Sequence, residues 1–419
     1  MVDVAFYALC CAYAGSQALT SEFYGFRVWG NFAIAGYALA SLHTGWLLAR
    51  LRSRPGDTQL DGPERAQSRW VGIGFIGALA MVIPLAVLVL RRLTGVDWLI
   101  TPGSWSAQPE VWVIERSASL LLHTGTPYVN VFTLGRPPVV NDYTPYGPVM
   151  TLFGMPRAVF GGNALANALT DARWYFALVA VLCVVATLKL MNFPKVPLRA
   201  AQLAVVFPLT TLSFATSGPD LAIVALLVLG CALAARDHPA LAAVVLAAAA
   251  NAKLNAMLAV PVVAFLIAAR LGRGALGRFV LWIIGVTVVV NVPVALVDPR
   301  SFVEHVLLFP AGLGAVTSPA ASPLPGHLIA ATGTVGQAIS FLLLGAAAVA
   351  IAVWLFRKPP LTGSDTALRL AIGLAAFALL TPATRFGYLV YPLVLLGAAL
   401  TFRSSEAEAA NDESLRWAA

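Results

Sequence analysis

The sequence predicts an all-α polytopic membrane protein, and three observations carry that prediction. Of 419 residues, 59% are hydrophobic and 11% charged, against about 25% charged in ordinary soluble domains. The mean hydropathy is +0.82. Apolar windows comparable to a bilayer span of about 20 residues recur along the whole chain. They fall near 4–21, 28–49, 70–90, 173–193, 200–217, 219–235, 239–252, 256–270, 279–297, 328–356, 367–382 and 386–402. The expectation is therefore about 12 transmembrane helices, and the composition alone excludes a soluble globular protein.

The first window opens as MVDVAFYALC, with no basic segment ahead of it and no small-residue cleavage site. It reads as a span rather than a removable signal. A basic loop, RLRSRPGDTQLDGPERAQSR (50–69), follows the second window. With this loop in the cytoplasm, alternation puts 17 of the 27 lysines and arginines on that side, in line with the positive-inside rule. Both termini then face the cytoplasm from an inner membrane crossed many times, and the tail at 403–419, with SSEAEAANDES, reads as disordered. Windows 239–252 and 256–270 are short and meet at Lys253-Leu254-Asn255, which predicts a helical hairpin with Lys253 at the outer interface. Snorkelling at a helix end explains such a lysine as well as a site does. The formal charge of +8 follows from this sidedness and does not call for nucleic acid. Cys10, Cys11, Cys183 and Cys231 lie in apolar stretches without CxxC spacing, so neither a disulfide nor a structural metal is expected.

Two outer stretches, 91–172 and 298–327, are far longer than the usual link of about 4–6 residues. The first contains EVWVIERSASLLL (110–122), apolar at every third or fourth position as in a helix lying in the interface plane. Gly and Pro punctuate its remainder, as in GRPPVVNDYTPYGP. The placement of charge separates function classes. A transporter carries ionisable groups within its spans, whereas chemistry on a membrane-anchored substrate needs them at one interface. The interiors of 70–90, 200–217, 279–297, 328–356 and 386–402 hold no Asp, Glu, Lys or Arg. Outer carboxylates, Asp97, Glu110, Glu115, Asp142 and Asp220 among them, stand instead beside cations such as Arg157, Lys253 and Arg385. That is the layout of an interfacial site for an anion, although a solvated loop surface explains many of these residues singly.

Motifs of soluble enzymes are absent. There is no GxSxG, no HExxH, no Walker A loop and no GxGxxG opening a helix after a strand. No DxD pair could hold a nucleotide-sugar diphosphate through a metal, which turns attention to a lipid-phosphate donor. Glu110-Val-Trp-Val-Ile, followed by Leu-Leu-Leu-His-Thr-Gly125-Thr-Pro127-Tyr128, resembles the first outer loop of the polyprenol-phosphate-mannose-dependent mannosyltransferases. These are multi-span enzymes of the GT-C superfamily. YTPYGPVMTLFGMPRAVF (143–160) is similar to that family's Tyr-Pro-Pro segment. Residues 217–266 resemble its core block of outer turn, paired helices, Ala-rich helix, Lys and Pro, and TPATRFGYLVYPLVLL (381–396) resembles its final outer motif. The resemblance runs in order over roughly 70–402. Residues 1–69 are accordingly expected to add two helices and a basic loop before a GT-C-like core, with 403–419 as a tail. Glu110 stands where the family commonly has Asp, and Gly387 and Tyr388 where it has His. SPLPGHL (322–328) only loosely echoes its Asn-x-Ser-Leu-x-Gly stretch.

The resemblance implies a glycosyltransferase acting with inversion. It would move mannose, or a pentofuranose such as arabinose, from a polyprenyl-phosphate donor to an outer-face glycolipid, glycan or protein acceptor. Such transfer needs a base within reach of the acceptor hydroxyl, cations at the departing phosphate and membrane lipid around the isoprenoid tail. Glu110 is the candidate base, though its place after Pro109 in a first helical turn is equally explained by the helix dipole. Asp142, in an Asn-Asp turn, is the backup base. Asp220, expected as an N-cap, is a further backup and a sugar or acceptor contact. Lys253, Arg385 and Arg157 are the candidates for the donor phosphate, which an arginine can grip bidentately. His327, His123, Tyr143 and Tyr146 are the remaining candidates for sugar or acceptor, with satisfied histidines and interfacial aromatics as the plain alternatives. No cofactor is expected to be required, no residue is assigned to a metal, and metal dependence is left open. A lipid-linked saccharide transporter or flippase, and a non-catalytic GT-C-like scaffold, are the competing classes. The first calls for related halves with broken helices, which the sequence does not display.

Overall fold

The computed structural model describes residues 1–53, 68–95 and 102–418. The middle of the basic loop and Asp97 lie outside the described residues. Among those described, one isolated bridge pairs Ala321 with Thr384, and the architecture is otherwise helical. Helices α1 (Val2–Thr20) and α2 (Tyr24–Ser53) form an N-terminal hairpin, followed by α3 (Trp70–Thr94), which contains a π turn. Helix α4 (Pro109–Thr124) lies in the first long outer loop. Then come α5 (Ala172–Leu190), α6 (Leu198–Ala204), α7 (Pro208–Thr216), α8 (Pro219–Ala235) and α9 (Pro239–Ala252). The chain closes with α10 (Ala259–Val297), α11 (Thr334–Arg357), α12 (Gly363–Leu380) and α13 (Val390–Ala418).

The molecule is thus an all-α polytopic membrane protein, and each of the twelve expected windows coincides with helix. Among the described residues, eight helices are long and apolar enough to cross a membrane, or up to nine with the bent pair α6 and α7 taken as one. The difference from about 12 has physical causes. Windows 256–270 and 279–297 merge in the 39-residue α10, interrupted only at Gly272, whose φ of 79° and ψ of −177° are not helical. Window 200–217 bends by 49° where Pro208 cannot continue the preceding helix. Helices α8 and α9, of 17 and 14 residues, are shorter than a typical span. The tail expected to be disordered continues α13 as far as Ala418, since its alanines and glutamates are good helix formers.

Helix α8 is the hub, buried on nearly every face against α5, α9, α12 and α13. Small residues make this possible. A methyl group at Gly230 would lie 2.5 Å from the Leu246 side chain, so α8 and α9 approach in the manner of small-residue membrane interfaces. The N-terminal hairpin packs instead with α3 and α7 around Tyr7, Trp29 and Tyr37. Contacts sort the polar groups to the two ends of the bundle. Arg69 and Arg199 meet Asp3, Lys195 meets Ser404, and Arg369 meets Lys358 at one end. Glu110 meets Arg385 at the other.

Candidate active site

Four helix termini converge at that second end. Pro109 occupies the first turn of α4 and Glu110 follows it, where a missing N–H costs nothing and the dipole favours a carboxylate. The Gln108 N–H donates to Thr216 O at 2.9 Å, tying the start of α4 to the end of α7. Helix α8 begins after Gly218, whose φ is 93°. A side chain there would be strained by the backbone and would approach within 3.0 Å of the Phe176 ring. Gly218, not Asp220, is the N-cap; Asp220 lies in the first turn, which frees its carboxylate for a distant partner. Helix α9 ends at Lys253 in extended conformation. The Tyr146-Gly147 turn closes over this end: Gly147 N–H donates to Ala252 O at 3.0 Å, and a Cβ on Gly147 would sit 2.1 Å from Asn251 O.

The fourth terminus is the link from α12 to α13, which carries Arg385. Its shape is set by the second long loop. Thr384 N–H donates to Ala320 O and Ser322 N–H to Thr384 O, both at 2.9 Å, while His327 Nδ1 lies 2.9 Å from Pro382 O. His327 therefore braces the arginine's backbone rather than standing free for a sugar.

Two acid–cation pairs result. Arg385 Nη1 donates to Glu110 Oε1 at 2.9 Å, and Ser217 Oγ donates to Glu110 Oε2 at 3.0 Å. Lys253 Nζ donates to Asp220 Oδ1, which also accepts from Tyr391 OH at 2.7 Å. The ammonium stands 4.9 Å from the centre of the Tyr388 ring and 5.8 Å from that of Tyr146, within cation–π range. Glu110 and Arg385 side chains remain 25% and 37% exposed, Asp220 and Lys253 16% and 13%. The first pair is thus open to solvent and the second lies deeper. Burial alone would pull the Lys253 ammonium down, but Asp220, Tyr388 and Glu110 outweigh it and the net direction is up. Arg385 is likewise lowered by burial and raised further by Glu110. Both cations stay charged. Burial also pushes the Tyr146 phenol well up, keeping it protonated.

Other expected residues stand apart from these pairs. Asp142 takes both Arg136 guanidinium nitrogens, at 2.7 and 2.8 Å, and the Val139 N–H. Arg136 holds its carboxyl below the ordinary range against the opposing effect of burial, which makes it a turn-stabilising group. Tyr143 OH donates to Glu304 at 2.9 Å beneath the surface. His123 bonds Ser119 O on its own helix and is exposed. Arg157 is drawn to Glu115 at 3.5 Å and to Asn167 O at 3.3 Å.

That last pairing belongs to a sealed network. Arg92 reaches Asp171 at 2.5 Å and Glu115 at 2.9 Å, and Arg173 embraces Asp171 with two bonds of 2.9 Å. All four are buried. Glu115, one of the outer carboxylates of the first long loop, is thereby a clamp joining α3, α4 and α5. His305 is a second hidden brace. Burial drives its imidazole down to about 4, so it is neutral; Nδ1 accepts from Thr144 N–H at 2.9 Å, leaving Nε2 to donate to Val129 O at 2.8 Å. Sequence reasoning missed Ser217, Tyr388 and Tyr391 as site members. All three lie inside motif stretches already singled out, SGPD and RFGYLVYP, but nothing local marks their partners. Among the described residues, no three His, Cys, Asp or Glu side chains gather as a metal site.

Fold and site together define a multi-pass, all-helical membrane protein with paired carboxylates and cations at one end of its bundle. Residues 138–269 match the family model for the alpha-(1->6)-mannopyranosyltransferase N-terminal domain. The match covers 132 of the 419 residues and agrees with the resemblance of the motifs to mannosyltransferases of the GT-C type. The matched stretch contains Tyr146, Asp220 and Lys253, whereas Glu110 and Arg385 flank it. No curated protein and no solved structure matches the chain.

Proposed function

We propose that the chain is a polyprenyl-phosphate-sugar-dependent glycosyltransferase of the cell envelope, acting at the extracytoplasmic face of the inner membrane. The observation that carries this reading is the convergence of Glu110–Arg385 and Asp220–Lys253 from separate helix ends into one partly exposed site. Donor phosphate binds between Arg385 and Lys253, whose positive charges offset the charge that develops as it departs. A glutamate carboxylate has about four acceptor positions, and Arg385 and Ser217 occupy two at Glu110, so capacity remains for an acceptor hydroxyl. Glu110 takes the hydroxyl proton, the acceptor oxygen bonds to the anomeric carbon from the face opposite the phosphate, and the carbon–oxygen bond to phosphate breaks with its electron pair leaving on the phosphate. The configuration inverts. Asp220 orients Lys253, while Tyr146 and Tyr388 form walls for the sugar. Exposed apolar faces of α10 and α11, with Val289, Leu296, Leu342 and Phe356 outward, offer a surface for the isoprenoid tail.

The match to a mannosyltransferase domain favours mannose over arabinose as the sugar transferred. The acceptor class, a glycolipid, glycan or protein, is set by the outer loops. The test is reconstitution of the purified chain with polyprenyl-phosphate-mannose and a membrane-extract acceptor pool. Transfer of labelled mannose by the wild type, lost in Arg385→Gln, supports the reading. Binding of the donor without any transfer by the wild type would instead favour a flippase or a non-catalytic scaffold.

A further inference from the structure

Two cavities open at the opposite end of the bundle, and Arg69 lines both. The first, of about 240 Å³, lies where α1, the end of α2 and the start of α6 meet; Asp3, Thr44, Leu47, Leu48 and Arg199 complete most of its wall. The second, of about 340 Å³, lies between the starts of α3 and α6 and the side of α13, against Trp70, Lys195, Leu198 and Ser404. Three cations thus face two adjoining hollows. One carboxylate, Asp3, is among the lining groups; Arg69 and Arg199 both pair with it. Among the described residues, the second cavity has no carboxylate in its wall. Glu408 is close by, but its Oε1 is engaged by the Lys195 backbone N–H at 3.1 Å.

The apolar part of each wall matters as much as the charge. Leu47 and Leu48 in one cavity, and Val196, Pro197 and Leu198 in the other, supply surface that a bare inorganic anion does not use. Trp70, 42% exposed, stands beside Arg69, as amphipathic aromatics do at headgroup depth. Leu42, also on α2, is 70% exposed. A basic hollow between helices with a greasy floor suits a phosphate ester whose remainder is hydrocarbon.

We infer that these two cavities, which share Arg69, bind a phosphate-bearing anion, with the headgroup of an anionic glycerophospholipid as its source. The phosphate sits between Arg69, Lys195 and Arg199, and the glycerol end lies on the leucines. Such an occupant bridges α3, α6 and α13 at the end remote from Glu110, so the site is independent of the proposed transfer reaction.

The full-length chain in neutral detergent tests this by native mass spectrometry and thermal melting with dioctanoyl-phosphatidylglycerol, dioctanoyl-phosphatidylcholine and inorganic phosphate. The expected result is adducts and a raised melting temperature with phosphatidylglycerol, little change with phosphatidylcholine, and roughly 30-fold weaker phosphatidylglycerol binding in Lys195→Gln/Arg199→Gln. Should that double variant melt lower without lipid, Lys195→Gln alone replaces it, with about fivefold weakening expected. Equal stabilisation by inorganic phosphate, with displacement of the lipid, would support the anion site and assign it to soluble phosphate. Equal binding of the two lipids, or unchanged phosphatidylglycerol binding in Lys195→Gln, overturns the inference.

Discussion

Two clusters of carboxylates and cations hang from the same helix. Glu110, in the first turn of α4, meets Arg385 and Ser217 and keeps a quarter of its side chain exposed. Glu115, five positions on, is buried with Arg92, within reach of Arg157 and of the Ala172 N–H. The residue types are alike; what differs is saturation. Around Asp171 and Glu115 nearly every acceptor position is taken and solvent is excluded, so the network can clamp helices but can receive nothing. Around Glu110 and Asp220, acceptor positions and exposed surface remain. Exposure and spare bonding capacity, more than charge, separate a site from a staple.

The largest effect should come from cutting the staple. Asp171 lies between two buried arginines, and removing one partner of such a group costs about 3–5 kcal/mol. Asp171→Asn should therefore lower the melting temperature sharply or abolish recovery of folded protein in detergent. A variant that melts like the wild type would erase the distinction between the clusters. Next in size, Arg385→Gln should lower turnover of polyprenyl-phosphate-mannose by about 10²–10³, the scale for one preorganised charge-stabilising donor, with little change in melting. A comparable loss of stability would reduce Arg385 to a structural group.

Gly147→Ala sharpens the boundary of the site. Its Cβ would lie 2.1 Å from Asn251 O, so the Tyr146 turn must move off α9, at about 1–3 kcal/mol and with turnover reduced. Limited proteolysis and donor KM report the displacement. Smaller still is a pH effect at Asp142. Arg136 holds this carboxyl low, so the pair stabilises its turn fully above the ordinary carboxylate range near pH 4 and loses that contribution as pH falls through its depressed value. Proteolytic cleavage near 136–142 should rise on acidification in the wild type, while Asp142→Asn is cleaved faster throughout and turns over donor within about twofold at neutral pH. Full loss of transfer in Asp142→Asn would reinstate it as the base.

Much of the fold was legible because helix and bilayer impose local rules. Every apolar window became helix, and the charge-free span interiors agree with polar contacts sorted to the two ends of the bundle. Span number was harder to read, since Gly272, Pro208 and the short α8 and α9 break the equation of one window with one crossing. Glu110, Lys253, Arg385 and Asp220 could be nominated from their positions at helix ends. Their pairing could not: Glu110 and Arg385 are 275 positions apart, and Asp220 and Tyr391 171 apart. Arg157 illustrates the converse. It has the charge and the outer location of a phosphate ligand, yet Glu115, whose burial no local pattern announces, captures it.

The decisive measurement is turnover of purified Glu110→Gln beside its melting curve. Glutamine preserves the shape and one acceptor oxygen but cannot take a proton from an alcohol. Mannose transfer from the polyprenyl-phosphate donor should fall by about 10²–10⁴, the usual contribution of a positioned base, while the melting temperature stays within a few degrees of wild type. Transfer persisting at near wild-type rate in a folded Glu110→Gln protein would remove Glu110 as the base and contradict the division drawn between the two clusters.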